Sequence, residues 1–263
     1  MLKQIFMDNY SDSTKYGQMD FNLPHDIVPL PSGGKFYKSN KKSVKVGYLT
    51  AADENIISNL VNQPNKENFF TSLVRMKLYE PELKPEELLF GDVEAIMVFL
   101  RNTSFGSEYQ VYVVDPATNK RFLATIDLGE INLKTTTHEP DNDGYFTTIL
   151  PRGGNTVKLK ILTTGDELEI NKAMESYPSG LVPPKITWRL SKMIISIDGN
   201  EDRNFISTFI EKMPIMDSKH IRKFMSENEP GLDLKKEVIA PSGEKVVVDI
   251  TFGVEFFRPF FGI

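Results

Sequence analysis

Apolar residues in the first third of the chain recur at helical spacing. Ile56, Ile57, Leu60 and Val61 share one face of a helix. Thr50 and Asp53 can cap it, although Glu or Gln is the usual second partner. Phe69, Phe70, Leu73, Val74 and Met76 mark a second helix, and Pro81 and Pro85 interrupt the pattern. Val93, Ile96, Met97 and Leu100 then follow the i, i+3, i+4, i+7 stripe of a third helix. All three stripes read as core.

From residue 108 the period shortens to two. Val111 and Val113, then Phe122, Ala124, Ile126 and Leu128, predict two strands around the turn Asp115-Pro-Ala-Thr-Asn119. Phe146–Leu150 and Thr156–Leu162 predict two more, joined across Pro151-Arg-Gly-Gly154. The polar stretch Thr135–Tyr145 reads as a loop.

Helical spacing returns with Leu168–Met174, behind a capping box of Thr164 and Glu167. Pro178–Pro184 reads as a linker. Leu190, Met193, Ile194 and Ile197 fit a helical stripe ending at Asp198-Gly199; a strand is the rival, because Ile194, Ile195 and Ile197 favour one, so 185–197 stays open between helix and strand. Phe205, Ile206, Phe209, Ile210 and Met213 form an amphipathic helix, and Asp217 can cap another with Ile221, Phe224 and Met225 facing inward. Lys236–Ile239 and Lys245–Phe252 make a last hairpin around Ala240-Pro-Ser-Gly-Glu244. It echoes the first one: both run strand, Pro-containing knuckle, Lys, strand.

These elements predict an α+β protein in which two helical segments are each followed by a small antiparallel hairpin or sheet. The expected divisions are an extended N-terminal arm (1–45), a helical segment with hairpin or small sheet (46–163), and a second helical segment with C-terminal hairpin and aromatic tail (164–263). The arm shows few periodic apolar positions. Pro29-Leu-Pro31 favours extended backbone and Ser32-Gly33-Gly34 permits a sharp turn. Such an arm can dock on a partner or fold back onto its own domain. On the first reading, a chain lacking residues 1–40 folds but fails to join its complex.

Composition narrows the function. With 263 residues, 40% hydrophobic and 25% charged, the chain can bury a substantial core. A net charge of −5 argues against a nucleic-acid binder that relies on a basic field. There is no cysteine, which excludes disulfides, thiol chemistry and thiolate metal sites, and three scattered histidines make a poor metal set. The start, Met1 to Tyr10, has no apolar run of signal-peptide length. The longest run, Ala95–Leu100, is far short of the roughly 18–20 residues of a spanning helix, so no membrane partner is expected.

Candidate chemistry mostly reduces to turns. Ser32-Gly-Gly-Lys35 lacks the first Gly and the hydroxyl residue of a phosphate loop. Asp198, Asn200 and Asp202 have the spacing of the first calcium ligands, but Arg203 and Phe209 stand where Gly and Glu are needed. Asp141-Asn-Asp-Gly144 likewise reads as a turn, and His220, beside Lys219 and Arg222, as part of a solvated face. No catalytic, cofactor or metal residue is assigned. A carboxylate-using hydrolase or transferase would need a deep cleft where two acidic residues converge. The last segment is more telling. Phe252, Phe256, Phe257, Phe260 and Phe261 lie within ten residues; they close the chain's own core or anchor a partner.

Taken in order, several stretches resemble a known family. They are Leu30-Pro-Ser-Gly-Gly-Lys-Phe-Tyr37, Val44-Lys-Val-Gly-Tyr-Leu-Thr-Ala-Ala-Asp53, Leu100-Arg-Asn-Thr-Ser-Phe-Gly-Ser-Glu-Tyr109, Pro230-Gly-Leu-Asp-Leu234 and Val254-Glu-Phe-Phe-Arg-Pro259. The series resembles the baseplate hub and hub-assembly family of T-even-type contractile-tail phages over roughly residues 28–260. The resemblance implies a non-enzymatic structural or assembly protein of the virion tail baseplate, present in the host cytoplasm during assembly. Its partners would be other tail or baseplate proteins (hub, tube or wedge subunits) or copies of itself, with no nucleic acid and no membrane. The alternatives are a hub-assembly chaperone absent from the mature virion and a non-phage adaptor.

The resemblance implies Cys pairs in the hairpin knuckles of many relatives, as in zinc ribbons. This chain has Asp115, Pro116 and Thr118 in one knuckle and Ala240, Pro241 and Gly243 in the other, so no metal is carried over. The expected partner-binding residues are Leu30, Pro31, Ser32, Gly33, Phe36 and Tyr37 in the arm, and Phe256, Phe257, Phe260 and Phe261 at the end.

Overall fold

The computed structural model describes residues 24–61, 67–252 and 256–257. The chain is α+β. Strands β1 (His25–Pro29) and β2 (Ser43–Gly47) pair antiparallel, with Ile27 opposite Lys45. Helices α1 (Ala51–Val61), α2 (Glu67–Lys77) and α3 (Phe90–Phe105) follow, then the hairpin β3 (Glu108–Val114) and β4 (Arg121–Asp127). Strands β5 (Phe146–Ile149) and β6 (Thr156–Leu159) begin a three-stranded sheet. Helices α4 (Thr164–Glu175) and α5 (Lys185–Met193) come before its third strand, β7 (Ile194–Ile197). Helices α6 (Arg203–Lys212) and α7 (Ile215–Asn228) lead into the last hairpin, β8 (Lys235–Ile239) and β9 (Lys245–Asp249).

Where their side chains are described, the helical stripes become core; the side chains of Ile56, Leu60, Val61 and Phe69 lie outside the described residues. Ile57 of α1, Leu73 and Val74 of α2, and Val93, Ile96, Met97 and Leu100 of α3 are all buried. Thr50 caps α1 together with Asp53: the Thr50 amide donates to Asp53 Oδ2 at 2.7 Å and the Asp53 amide to Thr50 Oγ1 at 3.4 Å. The same carboxylate pairs with the buried ammonium of Lys77 at the end of α2. At the end of α3, no carboxylate among the described residues pairs with buried Arg101. Its guanidinium donates to the carbonyls of Gly106 (2.5 Å) and Glu108 (2.9 Å), which fixes the turn from α3 into β3.

Segment 185–197 is helix and then strand. Leu190 and Met193 close the buried face of α5, and Ile194, Ser196 and Ile197 continue into β7. The strand ends at a two-residue turn in which Asp198 and Gly199 both take positive φ (50° and 82°). Ile197 and Asn200 exchange hydrogen bonds across it, at 2.9 and 3.0 Å.

Two capping assignments differ from the sequence reading. The N-cap of α4 is Thr163, paired with Asp166, one residue before the expected Thr164–Glu167 box. Thr164 instead donates its hydroxyl to the Pro85 carbonyl at 2.5 Å. Asp217 lies in the first turn of α7 behind Pro214, fully buried, and serves another loop: it accepts the amides of Arg152 (2.8 Å) and Gly153 (2.9 Å) in the β5–β6 turn.

Residues 24–45 contribute to the core. Val28, Leu30, Tyr37 and Val44 are buried, so the described part of the expected arm folds back onto its own domain. A chain lacking residues 1–40 would lose β1 and these core side chains. It is therefore expected to unfold, contrary to the sequence reading.

Candidate interaction surfaces

The loop between β1 and β2 is held by one buried carboxylate. Asp92, in the first turn of α3, is fully buried, with no cation beside it among the described residues. Its Oδ1 accepts the Ser32 amide at 2.9 Å and its Oδ2 accepts the Tyr37 hydroxyl. The Tyr37 oxygen in turn accepts the Leu89 amide, at the N-cap of α3, at 2.9 Å. Burial raises the Asp92 carboxyl above its ordinary value and raises the Tyr37 hydroxyl as well. An acid at a helix N-terminus that accepts one amide and one hydroxyl, the hydroxyl oxygen in turn accepting a second amide, is a fixed anchor for an otherwise irregular loop.

Other loops are latched in the same way, by polar side chains distant in sequence. Asn228 Oδ1 accepts the amides of Thr137 (3.1 Å) and His138 (2.6 Å), holding the polar loop before β5. Asp198 accepts the Thr156 amide at 2.8 Å, and Asp202 caps α6 through the Phe205 amide at 2.7 Å. The calcium-like spacing Asp198–Asn200–Asp202 is therefore a turn and a helix cap, and Asp141 closes its own turn onto the Tyr145 amide at 2.8 Å. His220 is half-buried with Nε2 2.9 Å from the Thr148 hydroxyl, so it belongs to a packed face and not the solvated one expected.

The two knuckles meet. Ser242 in the second donates its hydroxyl to Asp115 Oδ1 at 2.8 Å and its amide to Asp115 Oδ2 at 3.2 Å. Burial pushes the Asp115 carboxyl up, but hydrogen bonds from Ser242, Ala117 and Thr118 outweigh it and hold the group below its ordinary value. A carboxylate–hydroxyl clasp thus joins the tips of two hairpins far apart in sequence. No group of three or more metal-ligating side chains occurs among the described residues.

The expected partner residues divide by burial. Leu30, Ser32 and Tyr37 face inward, while Pro31, Gly33 and Phe36 are half-buried, with the Phe36 ring 6.0 Å from Phe146. Phe256 and Phe257 are fully buried, and Phe256 packs on Tyr109 and Phe252 with ring centroids 5.6 and 4.7 Å apart. Phe260 and Phe261 lie outside the described residues.

Sequence reasoning missed the large apolar side chains that do reach solvent. Tyr112 of β3 (72% exposed) stands opposite Leu123 of β4 on the outer face of that hairpin. Val182 in the Pro-rich loop before α5 is 90% exposed beside Leu181, and Ile215 and Met216 open α7 on its solvent side. The unbroken apolar runs Val111–Val114 and Phe122–Ala124, which put apolar side chains on both faces of the hairpin, and the uncharged run Ser179–Pro184 were the available signals.

A cleft of about 380 Å³ opens where α2, α3, α4 and α5 converge on the end of α7. Phe70, Phe90, Val93, Leu162 and Leu168 form apolar walls, and Glu167, Arg189 and Glu229 line it as charges. Arg189 donates to Glu167 at 2.5 Å. Two acidic residues converge here, Glu167 in an ion pair with Arg189 and Glu229 at the end of α7.

No helix among the described residues is long and apolar enough to cross a membrane. No curated protein and no solved structure matches the chain. A family model described as T4 bacteriophage base plate protein matches residues 27–258, from β1 through the last hairpin to the buried Phe256–Phe257 pair. That match spans most of the sequence, and the chain belongs to the T4 bacteriophage base plate protein family.

Proposed function

We propose that this baseplate protein is a non-enzymatic structural or assembly subunit of the hub region of a contractile tail, working through protein–protein contacts alone. The family match along nearly the whole fold carries this reading. Two structural observations support it. Irregular loops are latched by buried Asp92, Asp217 and Asn228, which keeps the surface in one shape. Large apolar side chains are distributed over several exposed faces, as a subunit with more than one neighbour needs. Its neighbours would be hub, tube or wedge subunits, or further copies of itself. It would act in the tail baseplate and, during assembly, in the host cytoplasm. Pro31, Gly33 and Phe36 at the first loop, and Phe260 and Phe261 at the C-terminal end, are proposed contributors to these contacts.

The test is a phage unable to make this chain. Infected cells should accumulate baseplate intermediates without finished tails, and supplying the chain should restore tails. Normal tails in its absence would refute the reading. Its presence in assembly intermediates but not in finished particles would identify it as a hub-assembly chaperone.

A further inference from the structure

The cleft at the end of α7 carries one charge too many for a site that is complete by itself. Glu229 is half-buried against apolar walls, and among the described residues no hydrogen-bond donor or cation contacts its carboxylate. It is the C-cap residue of α7, where the helix macrodipole already places partial negative charge. Its two nearest cations are engaged elsewhere: Arg189 with Glu167, and Lys134 with the Ser226 carbonyl. Burial raises the Glu229 carboxyl above its ordinary value; Lys134 and Arg189 oppose this, and Glu167 adds to it. Burial, dipole and a like charge all act against an ionised Glu229, so its position does not serve the stability of the fold. Beside it Phe90, in the first turn of α3, is 47% exposed at the cleft wall.

We propose that this cleft receives a lysine or arginine of a neighbouring tail protein, its ammonium or guanidinium on Glu229 and an adjoining apolar side chain against Phe90 and Leu168. A cation supplies the charge the site lacks, and the apolar stem of a long basic residue suits the walls. The volume holds one such side chain with its apolar neighbour. This inference rests on the reading that the chain acts among tail proteins.

The experiment uses full-length chain added to a tail-assembly extract that lacks it, with incorporation into baseplate intermediates measured by quantitative mass spectrometry. Glu229→Gln and Phe90→Ser should each lower incorporation at least tenfold. Glu229→Gln should melt at the same or a higher temperature at pH 8 than the parent, which separates lost binding from lost folding. Asp233→Asn, at an exposed position outside the cleft, should incorporate normally. A photo-crosslinking amino acid at position 90 should map to a tail-protein segment holding a lysine or arginine. Reversing that charge together with Glu229→Arg should restore incorporation.

Undiminished incorporation of Glu229→Gln and Phe90→Ser overturns the inference and leaves the baseplate reading standing. A crosslink confined to the same chain, for example at Lys66, also overturns it, because the chain then supplies its own cation. Failure of the parent chain to join any tail intermediate overturns both.

Discussion

Replacing Glu94 by Gln should change how stability depends on pH. Glu94 lies one turn into α3, half-buried, and its carboxylate accepts the Leu232 amide. Burial is the main cause that pushes its carboxyl up to about 7; Glu229 and Asp249 add to this, and the Leu232 amide and Lys134 oppose it. Between the ordinary glutamate value and 7, the folded chain holds a proton that the unfolded chain has released. Stability from this group is therefore complete at low pH and is lost as pH rises through about 7. A shift from 4.5 to about 7 corresponds to about 2.5 kcal/mol lost between pH 5 and 8. Solvent at this half-buried site screens part of that, leaving about 1–2 kcal/mol.

Gln keeps the acceptor for the Leu232 amide and removes the titration. Urea unfolding of both chains should find the variant gaining about 1–2 kcal/mol on the parent between pH 5 and pH 8. Parallel pH profiles for the two chains would refute the assignment of the raised value to Glu94.

Four further outcomes are expected. Gly91→Ala places a Cβ 2.1 Å from the Pro230 carbonyl oxygen, a backbone clash that should lower stability by about 3 kcal/mol in chemical denaturation. Asp92→Ala orphans the Tyr37 hydroxyl and the Ser32 amide, so a loss of about 2–4 kcal/mol is expected, with faster proteolysis in the 30–40 loop; an unchanged cleavage pattern would exclude Asp92 as its anchor. Phe256→Ala empties a fully buried site against Tyr109 and Phe252 and should cost about 3–5 kcal/mol by thermal or urea unfolding. Asp115→Ala opens the clasp between knuckles and should speed hydrogen exchange of the Ser242 amide; in the parent the same release should occur only when pH falls below the ordinary carboxylate range, because the Asp115 value is lowered by its hydrogen bonds.

Elements with a single clean period could be read from residues alone. The α3 stripe and the alternation of β3 and β4 each admit one geometry, and both formed. Where two geometries share the same apolar positions, the sequence was ambiguous. Leu190, Met193, Ile194 and Ile197 satisfy a helix and a strand, and the chain uses both, changing over at Met193–Ile194. The α4 box slipped by one residue because Thr163-Thr164 precedes Asp166-Glu167, so two Thr–acid pairs three apart overlap; tertiary contact of Thr164 with Pro85 decides between them.

The candidate surfaces were harder to foresee, because partners distant in the chain build them. Asp92 reaches Tyr37 across 55 positions and Asp115 reaches Ser242 across 127. Nothing local to either residue marks the contact. The Phe-rich end showed its apolar character, but which rings turn inward depends on Tyr109 and Phe252. The cleft draws side chains from α2, α3, α4, α5 and the end of α7, so Glu229 looks like any surface acid until those elements are assembled.

The central claim is that the chain works as a component of, or assembler for, a tail baseplate. The most direct measurement is a protein inventory of purified hub and baseplate intermediates and of finished particles, quantified by mass spectrometry against labelled standards. The account predicts the chain at a fixed small-integer ratio to a baseplate protein in the intermediates, in the particles, or in both. Its absence from all of these preparations, in cells that make it abundantly, would contradict the account.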